Sequence, residues 1–163
     1  MPDADRPLNR RGEKAAQRMG AEMARRGWRP DRILCSTAVR TRETLERLDK
    51  GWHKAGKGTL PDATYEKALY LATAETVLKH LHALDDETGS VLVIGHNPGL
   101  HDLATALARK NDGADRAKLE RQFPTCALAV IRFERGGWRD IGRHGGQLAH
   151  LILPRELDRA ARP

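Results

Sequence analysis

Two short segments carry residue types that can bind and transfer an anionic group. Ser36-Thr37-Ala38-Val39-Arg40-Thr41 follows the apolar triplet Ile33-Leu34-Cys35, and Gly95-His96-Asn97-Pro98-Gly99 follows Val91-Leu92-Val93-Ile94. Each reads as a strand running into a helix start, and open α/β sheets gather ligands at the carboxyl ends of their strands. Arg40, in the first turn of its helix, offers a planar fork to two oxygens. His96, beside a helix start whose free N–H groups attract anions, can add charge and a donor in a transition state. Either residue alone has an ordinary structural reading, as a solvated helix arginine or a histidine in a tight turn. Together, at matched strand ends, they point to a phosphoryl site with Arg40 and His96 as its catalytic pair.

The elements that must position this pair are legible from spacing. Asn9 caps a helix running to Arg26, with Ala15, Met19 and Met23 on one face and Gly27 as its stop. Arg32 to Cys35 is a short strand, and Ser36-Thr37 offers capping oxygens for a helix through Asp49. Lys50 to Asp62, with Gly51, Gly56, Gly58 and Pro61, reads as a loop. Ala63 to Ala72 is ambiguous. Thr73 caps a helix carrying Val77, Leu78, Leu81 and Leu84. Val91 to Ile94 is apolar throughout, as in a strand covered on both faces. Asn97 as N-cap and Pro98 at the first helical position open a helix with Leu100, Leu103 and Leu107. Asn111 to Arg116 reads as a polar loop. Ala127 to Phe133 is a strand, Gly136-Gly137 a hairpin turn and Trp138 to Ile141 its return. Gln147 to Leu153 is the last strand, and residues 158–163 are expected to fray. This alternation is an α/β pattern that begins with a helix, and nothing before Asn9 could be a buried strand.

Composition narrows the partners. The chain has 163 residues, 39% hydrophobic and 31% charged, with a net charge of +7. That length suits a single domain spanning residues 1–163. No apolar run approaches the ~18 residues of a membrane span, and the charged start is not a secretory signal. Single-strand nucleic-acid binders interleave aromatic with basic residues. Here aromatics are only 4% and scattered, so no nucleic-acid partner is expected. Cys35 and Cys126 lack metal or disulfide spacing and fit a reducing cytoplasm. His80 and His82 stand two apart on a helix, without a carboxylate cluster, so no metal is expected.

Longer matches carry a family resemblance. Ser36 to Thr44 looks like the S-x-x-x-R-x-x-x-T segment of the histidine phosphatase superfamily. Gly95 to Leu100 resembles the GHNPGL segment of its small phosphohistidine phosphatase (SixA-like) branch. Asp5-Arg6-Pro7-Leu8-Asn9-Arg10-Arg11-Gly12 is similar to that branch's D-x-x-R-P-L-x-x-R-G stretch, its leading spacing shortened or shared with Asp3. Ala68-Leu69-Tyr70 and Phe123-Pro124-Thr125 match too, so the resemblance runs from Asp3 to Leu157. It implies a three-layer α/β/α fold with a mostly parallel central sheet, phosphoglycerate-mutase-like. It also implies a phosphatase acting on protein phosphohistidine or a phosphomonoester, cofactor-free and monomeric. Arg40 and His96 correspond to the second Arg and second His that hold the phosphoryl oxygens, and Asn97 is counted with them as phosphate-binding. Glu66 and Asp102 are positional candidates for the general acid, each also readable as a surface carboxylate.

The family's nucleophile is a histidine in an Arg-His-Gly or Arg-His-Ala triplet at the end of a first, central strand. No such strand precedes Asp3, so roughly twenty residues of strand and loop are expected to be missing and the chain as written inactive. Arg143-His144-Gly145 spells the triplet but follows Asp140-Ile141-Gly142 rather than an apolar strand, and reads as a turn. A cysteine phosphatase would need C-x5-R, whereas Cys35 and Arg40 have four residues between them. A phosphate-binding pseudoenzyme and a basic binding module without catalysis remain the alternatives.

Overall fold

The computed structural model describes residues 1–111, 113–134 and 136–161. Its elements run α1 (Arg10–Arg25), β1 (Arg32–Ser36), α2 (Val39–Lys54), β2 (Ala63–Glu66), α3 (Ala74–His82) and β3 (Val91–Ile94). They continue with α4 (Gly99–Leu107), α5 (Ala114–Arg121), β4 (Leu128–Arg132), β5 (Gln147–Ile152) and α6 (Pro154–Ala161). Short 3-10 turns occupy Asp3–Asp5, Lys67–Leu69 and Trp138–Asp140.

Strand β1 pairs in parallel with β2 on one side and β3 on the other, giving the order β2-β1-β3. Successive strand residues face opposite ways, and β1 supplies both layers of core. Ile33 and Cys35 meet Met19, Met23, Leu45, Leu48 and Trp52 of α1 and α2. Leu34 meets Val77, Leu81, Leu103 and Leu107 of α3 and α4. Helices on both faces of a largely parallel sheet make the three-layer α/β/α architecture.

Asn9 caps α1 as expected, its side chain accepting from the Gly12 N–H at 2.8 Å, and Gly27 ends it at φ 72. Thr73 likewise caps α3 through the Thr76 N–H. Helix α2 differs: it continues five residues past Asp49, into the segment read as loop. Gly51 is not a breaker there but a contact. A Cβ on Gly51 would run into the Gln17 carbonyl, and one on Gly20 into the Leu48 carbonyl. The two glycines let α1 and α2 lie backbone against backbone.

Two other expectations are corrected. Residues 114–121 form helix α5, whose buried Leu119 anchors a short turn of otherwise polar sequence that lacked helical periodicity. Trp138 to Ile141 is not a returning strand: Trp138–Asp140 is a 3-10 turn, with the indole N–H donating to the Thr88 carbonyl at 2.7 Å. The antiparallel partner of β4 is β5, with Leu128 opposite Ile152. The last element, α6, spans Pro154–Ala161, and residues 162 and 163 lie outside the described set.

The β4–β5 ribbon is a separate sheet. Between it and β3 runs an apolar cleft of about 770 Å³, lined by Leu92, Val93, Leu103 and Leu107 on one side and Leu128 and Val130 on the other. Val91, Leu92 and Val93 are consequently only half-buried, against the full coverage their apolar run suggested. Among the described residues the outer edge of β3 pairs with no strand.

The helix crossing yields a test. Gly20→Ala gains about 1 kcal/mol of helix propensity, whereas overpacking typically costs roughly 1–3 kcal/mol. We expect net destabilisation in urea unfolding, and a more stable variant would contradict the close crossing.

Candidate functional site

The parallel pairing of β1 with β3 sets Cys35 beside Ile94, so both strands end at the same place. Ser36, fully buried, closes β1, and the Thr41 hydroxyl lies 2.9 Å from both the Ser36 and Ala38 carbonyls it can donate to. This tight turn projects Arg40 from the first turn of α2 across the strand ends. From β3 the chain turns through His96, whose carbonyl accepts the Leu100 N–H that begins α4.

The two side chains meet. Arg40 Nη2 lies 3.3 Å from His96 Nδ1, and His96 Nε2 lies 2.7 Å from Ser36 Oγ. A guanidinium can only donate. Neutral His96 therefore accepts at Nδ1 and carries its proton on Nε2, donated to Ser36. His96 is 8% exposed, and burial first, the Arg40 charge second, push its pKa below the usual value.

Two residues absent from the sequence-derived set complete the cluster. Arg40 donates from Nη1 to the Asp3 carbonyl at 2.9 Å and from Nη2 to Asp3 Oδ2 at 3.1 Å. The Tyr70 hydroxyl donates to the same Oδ2. That hydrogen bond, followed by Arg40, holds the Asp3 carboxyl below the usual range, and the same bond raises the Tyr70 phenol. The Tyr70 ring stands edge-on to His96, with centroids 5.3 Å apart at 84°. Tyr70 had a signal in the Ala68-Leu69-Tyr70 match, but neither residue type nor spacing gave it a role.

The remaining candidates lie differently. Asn97 is exposed and both ends of its amide are engaged: Nδ2 donates to the Phe123 carbonyl at 2.6 Å and Oδ1 accepts the His101 N–H at 3.2 Å. Pro98, rather than Asn97, occupies the cap position of α4, so Asn97 reaches the helix one residue further in. Glu66 sits in register beside Ser36 at the end of β2, and Asp102 is exposed on the first turn of α4. The Arg143-His144-Gly145 triplet forms a turn with His144 at φ 58, its Nδ1 3.1 Å from the Ala108 carbonyl. Burial raises the thiols of Cys35 and Cys126 to about 11, far from a reactive thiolate. Among the described residues no three His, Cys, Asp or Glu side chains gather as a metal site, and no helix is long and apolar enough to cross a membrane. A cavity of about 300 Å³ runs from Arg40 and His96 beneath the strand ends, past Leu92, Ile94 and Leu128.

Fold and site together define an α/β protein with an Arg–His pair at adjacent parallel strand ends. Residues 2–61 match the histidine phosphatase superfamily (branch 1). An uncharacterized protein of Mycobacterium tuberculosis is 35% identical over 156 residues, 94% of this chain and 92% of that protein. Among solved structures, a protein described as the phosphohistidine phosphatase SixA from Agrobacterium tumefaciens is 31% identical, with a TM-score of 0.72 over 94% of this chain and 87% of its own. One so described from Nakamurella multipartitia is 28% identical, with a TM-score of 0.77 over 94% and 88%. The chain belongs to the histidine phosphatase superfamily, in its SixA-like branch.

The His96 environment predicts a pH response. An unfolded chain titrates this group near its usual 6.5 and the folded chain titrates it lower. Below 6.5 the unfolded state holds more protons, so this contribution destabilises the fold as pH drops through that value and vanishes above it. The His96 ring signal in an NMR titration should therefore have its midpoint below 6.5, rising when inorganic phosphate is added; a midpoint at or above 6.5 in the free chain would contradict the geometry.

Proposed function

We propose that this chain is the phosphoryl-binding body of a phosphatase whose substrate is a phosphohistidine on a partner protein, working as a monomer in the cytoplasm. The observation that carries this reading is the 3.3 Å approach of Arg40 to His96 at the ends of β1 and β3. Arg40 binds the incoming phosphoryl oxygens, and their negative charge draws a proton onto His96 Nδ1, which then donates to them. Asn97 acts with this pair by holding the turn that presents His96.

The transfer itself needs a histidine nucleophile. It forms a bond to phosphorus as the phosphorus–nitrogen bond of the substrate breaks, and the leaving imidazole takes a proton. Water then hydrolyses the phosphoenzyme. The other six histidines are occupied elsewhere. His53 contacts the Gly58 carbonyl, His80 that of Thr76 and His82 that of Ile141. His101 contacts the Leu119 carbonyl and His144 that of Ala108, while His150 packs on Trp28. We infer that the nucleophile is delivered by a further strand seated in the cleft between β3 and β4, and that these 163 residues alone bind phosphate without turnover. The half-buried valines of β3 and its unpaired edge support that seat.

The test compares the 163-residue chain with a version extended at its start by an apolar strand ending in Arg-His. Only the extended chain should release phosphate from a phosphohistidine peptide. Within it, Arg40→Ala and His96→Ala should each lower kcat/KM by about 10²–10³, the scale of losing one oxyanion partner. Turnover by the unextended chain would overturn the nucleophile assignment. Rates within a few-fold of the parent in both variants would overturn the site.

A further inference from the structure

The anion pocket around Arg40 already holds an anion. Asp3 Oδ2 accepts from both Arg40 Nη2 and the Tyr70 hydroxyl, and the Asp3 carbonyl takes Arg40 Nη1. Two donors converging on one negatively charged oxygen mark an oxyanion position, whichever anion supplies the oxygen. Beside it stands His96 Nδ1, facing the same guanidinium. Resting on the phosphoryl-site reading above, we propose that Tyr70 is a phosphate-binding residue of this site and that the Asp3 carboxylate is the internal occupant a phosphoryl group must displace.

The two residues are held very differently, which decides which stays and which leaves. Tyr70 follows the 3-10 turn Lys67–Leu69, and Leu69 is buried at 2% exposure in the core under α3 and α4. A Cβ on Gly99 would run into the Ala72 carbonyl, so the start of α4 is seated directly against the segment carrying Tyr70. Asp3, by contrast, lies in a three-residue 3-10 turn with no buried residue, and its side chain is 44% exposed. Exposed ion pairs are among the weakest contacts a protein makes. Arg6 Nε lies 3.1 Å from the other carboxylate oxygen, a partner Asp3 keeps when it swings away. Its departure frees both terminal nitrogens of Arg40, which can then offer two parallel donors to a phosphoryl group. The Tyr70 hydroxyl, with its acceptor gone, turns to a third oxygen.

Phosphorus-31 NMR titration of the 163-residue chain with inorganic phosphate tests this. Asp3→Ala should tighten phosphate binding, whereas Asp5→Ala, the same charge change two residues away at an exposed position, should tighten it less. In the Asp3→Ala background, Tyr70→Phe should weaken binding about three- to tenfold, the scale of one hydrogen bond to an anion. Weaker binding by Asp3→Ala would make Asp3 a positioning residue and overturn the displacement. An unchanged Kd on adding Tyr70→Phe would overturn the Tyr70 role. If adding Arg40→Ala also leaves the Kd unchanged, the underlying phosphate site fails; if it abolishes binding while Tyr70→Phe does nothing, only the present inference fails. Thermal melts of each variant check that it is folded.

Discussion

The whole arrangement depends on one pairing, the parallel register that sets Cys35 of β1 beside Ile94 of β3. Parallel neighbours end at the same edge of a sheet, and each is followed here by a turn into a helix. Arg40 and His96, distant in sequence, are brought within 3.3 Å by that register together with the turn that follows each strand. A slip by one residue would move one strand end and flip its side chains to the opposite face. The alternation of Ile33, Leu34 and Cys35 between two separate cores makes such a slip costly, since each face is already filled. The geometry of the Arg40–His96 pair is thus guarded by the hydrophobic core beneath it rather than by contacts between the two side chains.

Electrostatics at this edge sets a guanidinium against a neutral imidazole and one carboxylate. Burial and the Arg40 charge disfavour protonation of His96, so the Arg40 guanidinium faces a neutral imidazole rather than a second cation. Asp3 balances the guanidinium from an exposed turn. A doubly charged phosphoryl group would replace a singly charged carboxylate and at the same time favour the protonated imidazole. On the proposed reading, binding and charging of His96 would be coupled, since an oxyanion at Arg40 would favour the protonated ring that burial and Arg40 disfavour.

Much of this was legible in the sequence because it is written in local terms. The capping of α1 by Asn9 and of α3 by Thr73, the apolar strands 32–35 and 91–94, and the strand-end placing of Arg40 and His96 all depend on short-range chemistry. What escaped depends on distant contacts. Gly51 looks like a breaker until Gln17 is seen against it, and Gly20 shows its purpose only beside Leu48. Helix α5 has little apolar periodicity and is held by Leu119, packed under β5, and by buried Arg116, which donates to the Thr105 carbonyl. Tyr70 and Asp3 are unremarkable residue types whose meaning lies in a shared oxygen. No spacing rule could join positions 3, 40, 70 and 96.

The cleft beside β3 ties stability to chemistry. A strand as apolar as Val91-Leu92-Val93-Ile94 is built for coverage on both faces and pairing on both edges, yet three of its four residues are half-buried. An open apolar edge invites pairing with any extended chain. The same edge ends two residues before His96, so a strand that paired there in parallel would have its own carboxyl end beside the Arg40–His96 pair. Backbone pairing would fix that strand's register to β3, just as β1 is fixed on the other side. On the proposed reading, a parallel strand filling the cleft would complete the core and place a nucleophile in one physical step, so a variant that impairs the pairing should lose stability and turnover together.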